Sequence, residues 1–180
     1  TNNFAMNYLK ESNAKKPLVI VTDNQTEGKG QRGNKWISEP GKNLVCSVID
    51  FPLMEVNRYF DLNMLVSLAL IQTLEKFKIE AQIKWPNDIY VQDKKIAGIL
   101  IENQLRGDKI VSSVLGIGLN VNQTEFDNIQ AISMQGFTDL SFDIDDVLNE
   151  LLRFIEMEMM FFQLNQTELN RQRYLKKLYR

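Results

Sequence analysis

Two stretches of the chain carry residue types suited to chemistry between a carboxylate and a phosphate. The first is Lys84-Trp-Pro-Asn-Asp88. Pro86 biases Trp85 toward extended geometry, and strand alternation puts Ile83 and Trp85 on one face and Lys84 on the other. A lysine fixed there can neutralise charge where a carboxylate meets an α-phosphate, although most lysines are simply solvated. The second is Gly28-Lys-Gly-Gln-Arg-Gly33, followed by Asn34-Lys35-Trp36. Residues 28–36 hold Lys29, Arg32 and Lys35 and no acid. Glycines free backbone N–H groups, so the loop can cradle a polyphosphate or adenylate; on charge alone it equally suits a solvated surface loop. The glycine spacing matches a dinucleotide fingerprint, with Asp50 at the end of the next strand. That loop must open a helix, however, and residues 34–43 contain Pro40-Gly41 and no helical apolar face, so the match is set aside.

A third stretch looks like the floor of a site. In Val114-Leu-Gly-Ile-Gly-Leu-Asn-Val-Asn122, period-2 alternation places Leu115, Ile117, Leu119 and Val121 on one face. Gly116, Gly118, Asn120 and Asn122 take the other. Strand glycines mark a bulge or the close approach of a ligand or another backbone, and Gly98 repeats the feature in the strand before.

What is missing narrows the chemistry. The 180 residues contain no histidine and one cysteine, Cys46. That excludes Ser-His-Asp and Cys-His nucleophile systems, histidine zinc sites and an internal disulfide framework. A net charge of −2 gives no global basic field for nucleic acid. No apolar run reaches the ~18 residues of a membrane span, and no secretory signal opens the chain. A soluble cytoplasmic protein is expected.

The elements that must position these residues are legible in outline. A helix capped by Asn2 or Asn3 is expected to bury Phe4, Met6, Tyr8 and Leu9 and to end near Asn13. Strands are expected at 17–22 and 44–49, with a long glycine-punctuated loop between them. Residues 58–78 show helical spacing of Phe60, Leu62, Leu65, Val66, Ala69, Leu70, Leu74 and Phe77, so a helix is expected there. Strands at 81–85, 89–92, 95–104 and 109–122 follow as hairpins, then helices at 143–164 and 166–178. Phe154–Leu164, with Met157, Met159 and Met160, suits a core or a subunit contact better than a site. This order predicts an α+β domain, a mostly antiparallel sheet with helices packed on one face.

Six segments taken in order resemble the biotin–protein ligase family: Thr1-Asn2; the Asp23–Trp36 loop with Gln25; Ser38-Glu-Pro-Gly-Lys-Asn-Leu44; Lys84-Trp-Pro-Asn-Asp88; Lys95-Ile-Ala-Gly-Ile-Leu-Ile-Glu102; and Gly116-Ile-Gly-Leu-Asn-Val-Asn122. They span residues 1–122. The resemblance implies a class II aminoacyl-tRNA synthetase-like fold and an ATP-dependent ligase that forms biotinyl-AMP and passes biotin to a lysine of a carboxylase's biotin carrier domain. It implies Lys84 as the catalytic lysine. It implies biotin contacts from Thr1, Asn2, Gln25, Lys29, Gly30, Gln31, Lys84, Gly98, Ile99 and Leu100. Nucleotide contacts would come from Lys29, Gln31, Arg32, Lys35, Trp36, Asn87 and Asn120. ATP with magnesium is expected, and Glu102 is a candidate magnesium ligand in a set otherwise unknown. The family loop often carries arginine where this chain has Lys29 and Gln31, and Gln31 brings no charge. The resemblance also implies a serine before Thr1 and a small C-terminal β domain, so residues 1–180 are expected to be the catalytic domain with a trimmed N-terminus. No nucleic acid or membrane partner is expected, and a homodimer is left open. A lipoate–protein ligase of the same superfamily and a non-catalytic biotin-binding module are the alternatives.

Overall fold

The computed structural model describes residues 1–12, 14–127, 130–164 and 167–179. Helix α1 (Asn2–Glu11) is followed by β1 (Leu18–Val21), β2 (Leu44–Asp50) and β3 (Met54–Glu55). Then come α2 (Tyr59–Lys76), β4 (Gln82–Lys84), β5 (Asp88–Val91), β6 (Lys94–Arg106), β7 (Lys109–Leu119), α3 (Met134–Thr138), α4 (Ile144–Gln163) and α5 (Thr167–Lys176). The strands form one antiparallel sheet in the order β1-β2-β7-β6-β5-β4, with β3 pairing the start of β7. The β6–β7 hairpin turns at Gly107, whose φ of 64° needs a residue without Cβ strain.

One face of the sheet is the core. Cys46, Ile117 and Ile99 lie in register across it, as do Leu44, Leu119 and Ala97, and all are 0–2% exposed. Helix α2 lies on this face and is apolar almost all round: Leu62, Leu65, Val66, Leu68, Ala69, Leu70, Ile71 and Leu74 are each no more than 4% exposed. A helix of that composition must be covered on both sides. The sheet covers one, and α4 and α5 the other. Helix α4 is held at its start by Asp143, whose carboxylate accepts from the Asp145 and Asp146 amides. Val147, Leu151 and Ile155 of α4 join the core, and Met159 and Phe162 pack against it, while Met160 stays 59% exposed.

A buried charge ties these helices together. Glu158 on α4 is fully buried. Its carboxylate accepts from Arg173 of α5 at 2.5 and 2.9 Å and from Gln72 of α2 at 2.6 Å. Three helices therefore meet at one buried carboxylate whose charge these donors compensate.

The expected α+β architecture is present, and three local expectations are corrected. Thr1, not Asn2 or Asn3, is the N-cap of α1, and it makes no side-chain capping bond. The buried face of α1 is Ala5 with Met6 and Leu9 against Ile49 and Val114, leaving Phe4 63% exposed and Tyr8 37% exposed. The predicted end at Asn13 falls outside the described residues; α1 ends at Glu11. Strand β7 stops at Leu119, so Asn120 and Asn122 leave the strand's open face. Asn122 clasps Phe142 through both ends of its amide, Nδ2 to the Phe142 carbonyl at 2.7 Å and the Phe142 amide to Oδ1 at 2.9 Å.

Removing one partner of a buried ion pair leaves an uncompensated charge and costs about 3–5 kcal/mol. Arg173 is partly solvated, so Arg173→Met should fall near about 3 kcal/mol. Urea unfolding would read this as a lowered midpoint, and the double change Glu158→Leu with Arg173→Leu should recover much of the loss. A single variant as stable as wild type would mean that the pair does not brace the helices.

Candidate functional site

The other face of the sheet is built from absent side chains. Gly98 pairs Gly118, and Gly116 pairs Leu100, in neighbouring rungs of β6 and β7. A Cβ on Gly118 would lie 2.4 Å from Cε2 of Trp36, and one on Gly98 would lie 3.1 Å from Cζ3 of the same ring. A Cβ on Gly116 would lie 2.2 Å from Oδ1 of Asn2. The glycines therefore mark neither bulges nor bare floor: the indole of Trp36 and the amide of Asn2 occupy the space they open.

Around this floor lies an open cleft with a cavity volume of about 130 Å³. Its roof is the 28–36 loop, folded into a tight hairpin. The Trp36 amide donates to the Gly28 carbonyl at 3.0 Å and the Gly30 amide to the Asn34 carbonyl at 2.7 Å, around a 3-10 turn at Gln31–Gly33. Gly28 is required here, since a Cβ would fall 2.1 Å from the Trp36 carbonyl. Lys29 Nζ ties the hairpin to α1 by donating to Asn3 Oδ1 at 2.9 Å. The buried indole N–H of Trp36 has no hydrogen-bond partner among the described residues. Such a donor is costly to leave unsatisfied.

Of the residues expected in the site, Thr1, Asn2, Gln25, Lys29, Gly30, Gln31, Lys35, Trp36, Asn87, Gly98, Ile99 and Leu100 all line this cleft. The side chain of Arg32 lies outside the described residues. Gln25 Oε1 accepts from the Thr1 amino group at 3.0 Å. Asn87 is held by β6, its Nδ2 donating to the Ile99 carbonyl at 2.8 Å while the Ile99 amide donates to the Asn87 carbonyl at 2.9 Å.

Two expected residues are placed elsewhere. Lys84 does point to the open side of β4, opposite the buried Ile83, but it sits toward the sheet edge and does not line the cleft. Its Nζ lies 4.4 Å from the Tyr90 ring centre and donates to Tyr90 Oη at 3.2 Å, with Tyr179 beyond at 5.9 Å. The C-terminal segment adds to this edge, the Ile83 amide donating to the Lys177 carbonyl and the Tyr179 amide to the Ile83 carbonyl. Asn120 is buried, and its Nδ2 donates to the Ile132 carbonyl at 3.1 Å. It reaches the cleft only indirectly, because residues 130 and 132 bond the backbone of Lys95.

Lys95 is the lysine that the residue-level reasoning missed. It lines the cleft, its Nζ 2.7 Å from Asp88 Oδ1 and 5.5 Å from the centre of the Trp36 ring. Strict alternation puts Lys95 and Gly98 on opposite faces of β6. The register shifts between Ile89 and Tyr90, which face Ala97 and Lys95, so Ile96 is an extra residue. That bulge brings Lys95 back to the glycine face. Glu102, the candidate magnesium ligand, is not part of the cleft wall; its Oε2 accepts from Asn2 Nδ2 at 2.8 Å. Among the described residues no group of three His, Cys, Asp or Glu side chains could hold a metal ion, nor is any helix long and apolar enough to cross a membrane.

An antiparallel sheet with α2, α4 and α5 behind one face, and on the other α1 beside a glycine-paved cleft under a cationic loop, defines an α+β domain whose open face is walled in part by Lys29, Lys35 and Lys95. Comparison with known proteins gives that class its family. A model of the Biotin/lipoate A/B protein ligase family matches residues 1–120, and the chain belongs to that family. It is 38% identical over 120 residues to the bifunctional ligase/repressor BirA of Bacillus spizizenii, covering 66% of this chain and 37% of that protein. It is 34% identical over 114 residues to the human biotin–protein ligase, covering 59% of this chain and 16% of that protein. Among solved structures, the biotin protein ligase of Aquifex aeolicus in complex with biotin and ATP superposes with a TM-score of 0.82 at 32% identity. That match covers 96% of this chain and 73% of the other. The fold is thus the class II aminoacyl-tRNA synthetase-like α+β arrangement expected from the sequence. The chain spans little more than a third of the length of the Bacillus relative.

The packing of Trp36 on Gly118 can be tested without any ligand. In a Trp85→Phe background, Gly118→Ala should expel the indole, shifting Trp36 emission to the red and increasing its quenching by acrylamide. Unchanged emission would show that the ring does not rest on the glycine floor.

Proposed function

We propose that the chain is the catalytic domain of an ATP-dependent ligase that activates biotin as biotinyl-5′-AMP and transfers it to a lysine of a carboxylase's biotin carrier domain. The observation that carries this function is a single lysine, Lys95, held by a carboxylate inside a glycine-paved cleft under a cationic loop. Membership of the family and the ligand names of the similar structures support it.

The residues divide the work by chemistry. The cleft between the Trp36 indole and the backbone of Ile99 and Leu100 suits the apolar body of biotin, with the polar groups of Thr1 and Gln25 also in its walls. The cationic groups Lys29, Lys35 and Lys95 line the same cleft and suit the phosphates. A carboxylate oxygen of biotin attacks the α-phosphorus of ATP, the bond to the β-phosphate breaks, and pyrophosphate leaves. Two anions must approach, so a positioned cation lowers the barrier. Lys95 supplies it by exchanging Asp88 for the reacting oxygens. The neutral lysine amine of the acceptor then attacks the acyl carbon of the mixed anhydride, expelling AMP, and the proton on the new amide nitrogen is lost. No covalent enzyme intermediate is needed, which fits a chain without histidine; rate comes from positioning and electrostatics. Magnesium is expected with ATP, but the described residues form no cage for it, so no metal-dependent step is assigned to the chain.

The first measurement is biotin-dependent pyrophosphate release from ATP and magnesium, with lipoate as the control acid. Release with biotin alone is expected; release with lipoate alone would replace the substrate, and biotin binding without release would mean a binding module. Given activity, Lys95→Ala should slow adenylation by about 10²–10³, the cost of losing one preorganised charge-stabilising group. Lys84→Ala should stay within a few-fold of wild type because its ammonium rests on Tyr90. The reverse ranking would return the catalytic role to Lys84.

A further inference from the structure

We infer that Glu102, behind the cleft wall, is a positioning residue for the substrate site and acts through Asn2. Asn2 is 8% exposed and lines the cleft. Both donors of its side chain are already used: Nδ2 gives one hydrogen to the Leu100 carbonyl at 3.1 Å and the other to Glu102 Oε2 at 2.8 Å. Its Oδ1 accepts from the fully buried Ser47 hydroxyl at 2.6 Å. A side chain so committed cannot donate to a ligand without leaving a buried partner unpaired.

Asn2 is therefore a fastener. It joins the first turn of α1 to three strands at once, β2 through Ser47, β6 through Leu100 and Glu102, and β7 by filling the space over Gly116. What it fastens is Thr1, its neighbour in the cleft, and through Thr1 the contact to Gln25. The first-turn bond from the Ala5 amide to the Thr1 carbonyl, 2.9 Å, depends on the same placement. Glu102 is the one charged member of this set. An ionised carboxylate accepts a stronger bond than a neutral oxygen, and it fixes which end of the amide faces β6, leaving Oδ1 for Ser47. Glu102 thus sets the end of the biotin site without touching biotin.

The inference rests on the proposed biotin-binding function, so its test has one arm that uses biotin and one that does not. Glu102→Gln keeps an acceptor for Asn2; Glu102→Ala removes it. With biotin, Glu102→Ala should raise the KM for biotin about tenfold or more, the size expected for orphaning a buried donor. Its kcat and its KM for ATP should stay within a few-fold, and Glu102→Gln should recover most of the loss. An unchanged biotin KM in Glu102→Ala, or an equal loss in both variants, would overturn the assignment. Without ligand, hydrogen exchange of the Ala5 amide should accelerate in Glu102→Ala and not in Glu102→Gln, while amides of α2 keep their protection. Acceleration throughout the protein, or none at Ala5, would reduce Glu102 to a general stabiliser or to a bystander. If the wild-type protein binds no biotin by calorimetry, the functional proposal fails, and the exchange arm still decides the role of Glu102.

Discussion

Everything on the open side of the sheet depends on the packing of two side chains into space that three glycines leave empty. Trp36 lies against Gly98 and Gly118, and Asn2 against Gly116. These contacts close the roof loop and seat α1, the two elements outside the sheet that contribute walls to the cleft. The steric margin is narrow, since Cβ atoms at Gly116 and Gly118 would lie 2.2 and 2.4 Å from their neighbours. Interiors packed at crystal-like density do not absorb such overlaps cheaply. A single methyl group on this face would therefore act on the site as a whole.

The opposite face explains why that floor can be so bare. Glycine-rich strands gain little from their own side chains and are weakened by the freedom of their backbone. In this fold they are central, β7 being paired on both edges at Gly116 and Gly118 and β6 on both edges at Gly98. Their alternate residues Ile99, Ile117 and Leu119 anchor them to α2, which α4 and α5 cover in turn. The stability lost on one face is supplied by the other. The Glu158–Arg173–Gln72 junction fixes the helices behind the floor, so the cleft has a stiff base and a roof that hangs on a few contacts.

Much of this was legible in the sequence because its causes are local. The alternation of Leu115, Ile117 and Leu119 with Gly116 and Gly118 assigns the two faces of β7 correctly, and Pro40-Gly41 correctly separates the 28–36 loop from a dinucleotide motif. The failures arise where long-range geometry overrides a local period. Asn2 reads as a helix cap, yet its amide is claimed by Ser47, Leu100 and Glu102, up to 100 residues away in sequence. Phe4 and Tyr8 read as the buried stripe of α1, but the small Ala5 is what fits against Ile49 and Val114. Lys84 reads as facing the open side of the sheet, which it does. What alternation cannot give is how far along the sheet that face remains in reach of the cleft.

Lys95 carries the last step of this argument. A single inserted residue, Ile96, changes the phase of β6 and turns a lysine that should face the helices toward the glycine floor. Both Ile96 and Ala97 then lie in the core at 0% exposure, so the bulge is held by burial and not by the lysine itself. Its backbone is pinned from the other side, the Lys95 amide to the Gln130 carbonyl and the Ile132 amide to the Lys95 carbonyl, and Asn120 holds Ile132 in place. Through Ile132, Asn120 also steadies the strand start from which the lysine projects. In the proposed reaction, with its backbone fixed and its ammonium parked on Asp88, Lys95 would give up little conformational freedom when an anion replaces that carboxylate. A charge held in place before the reaction needs no reorganisation during it, and here core packing behind the sheet supplies the holding.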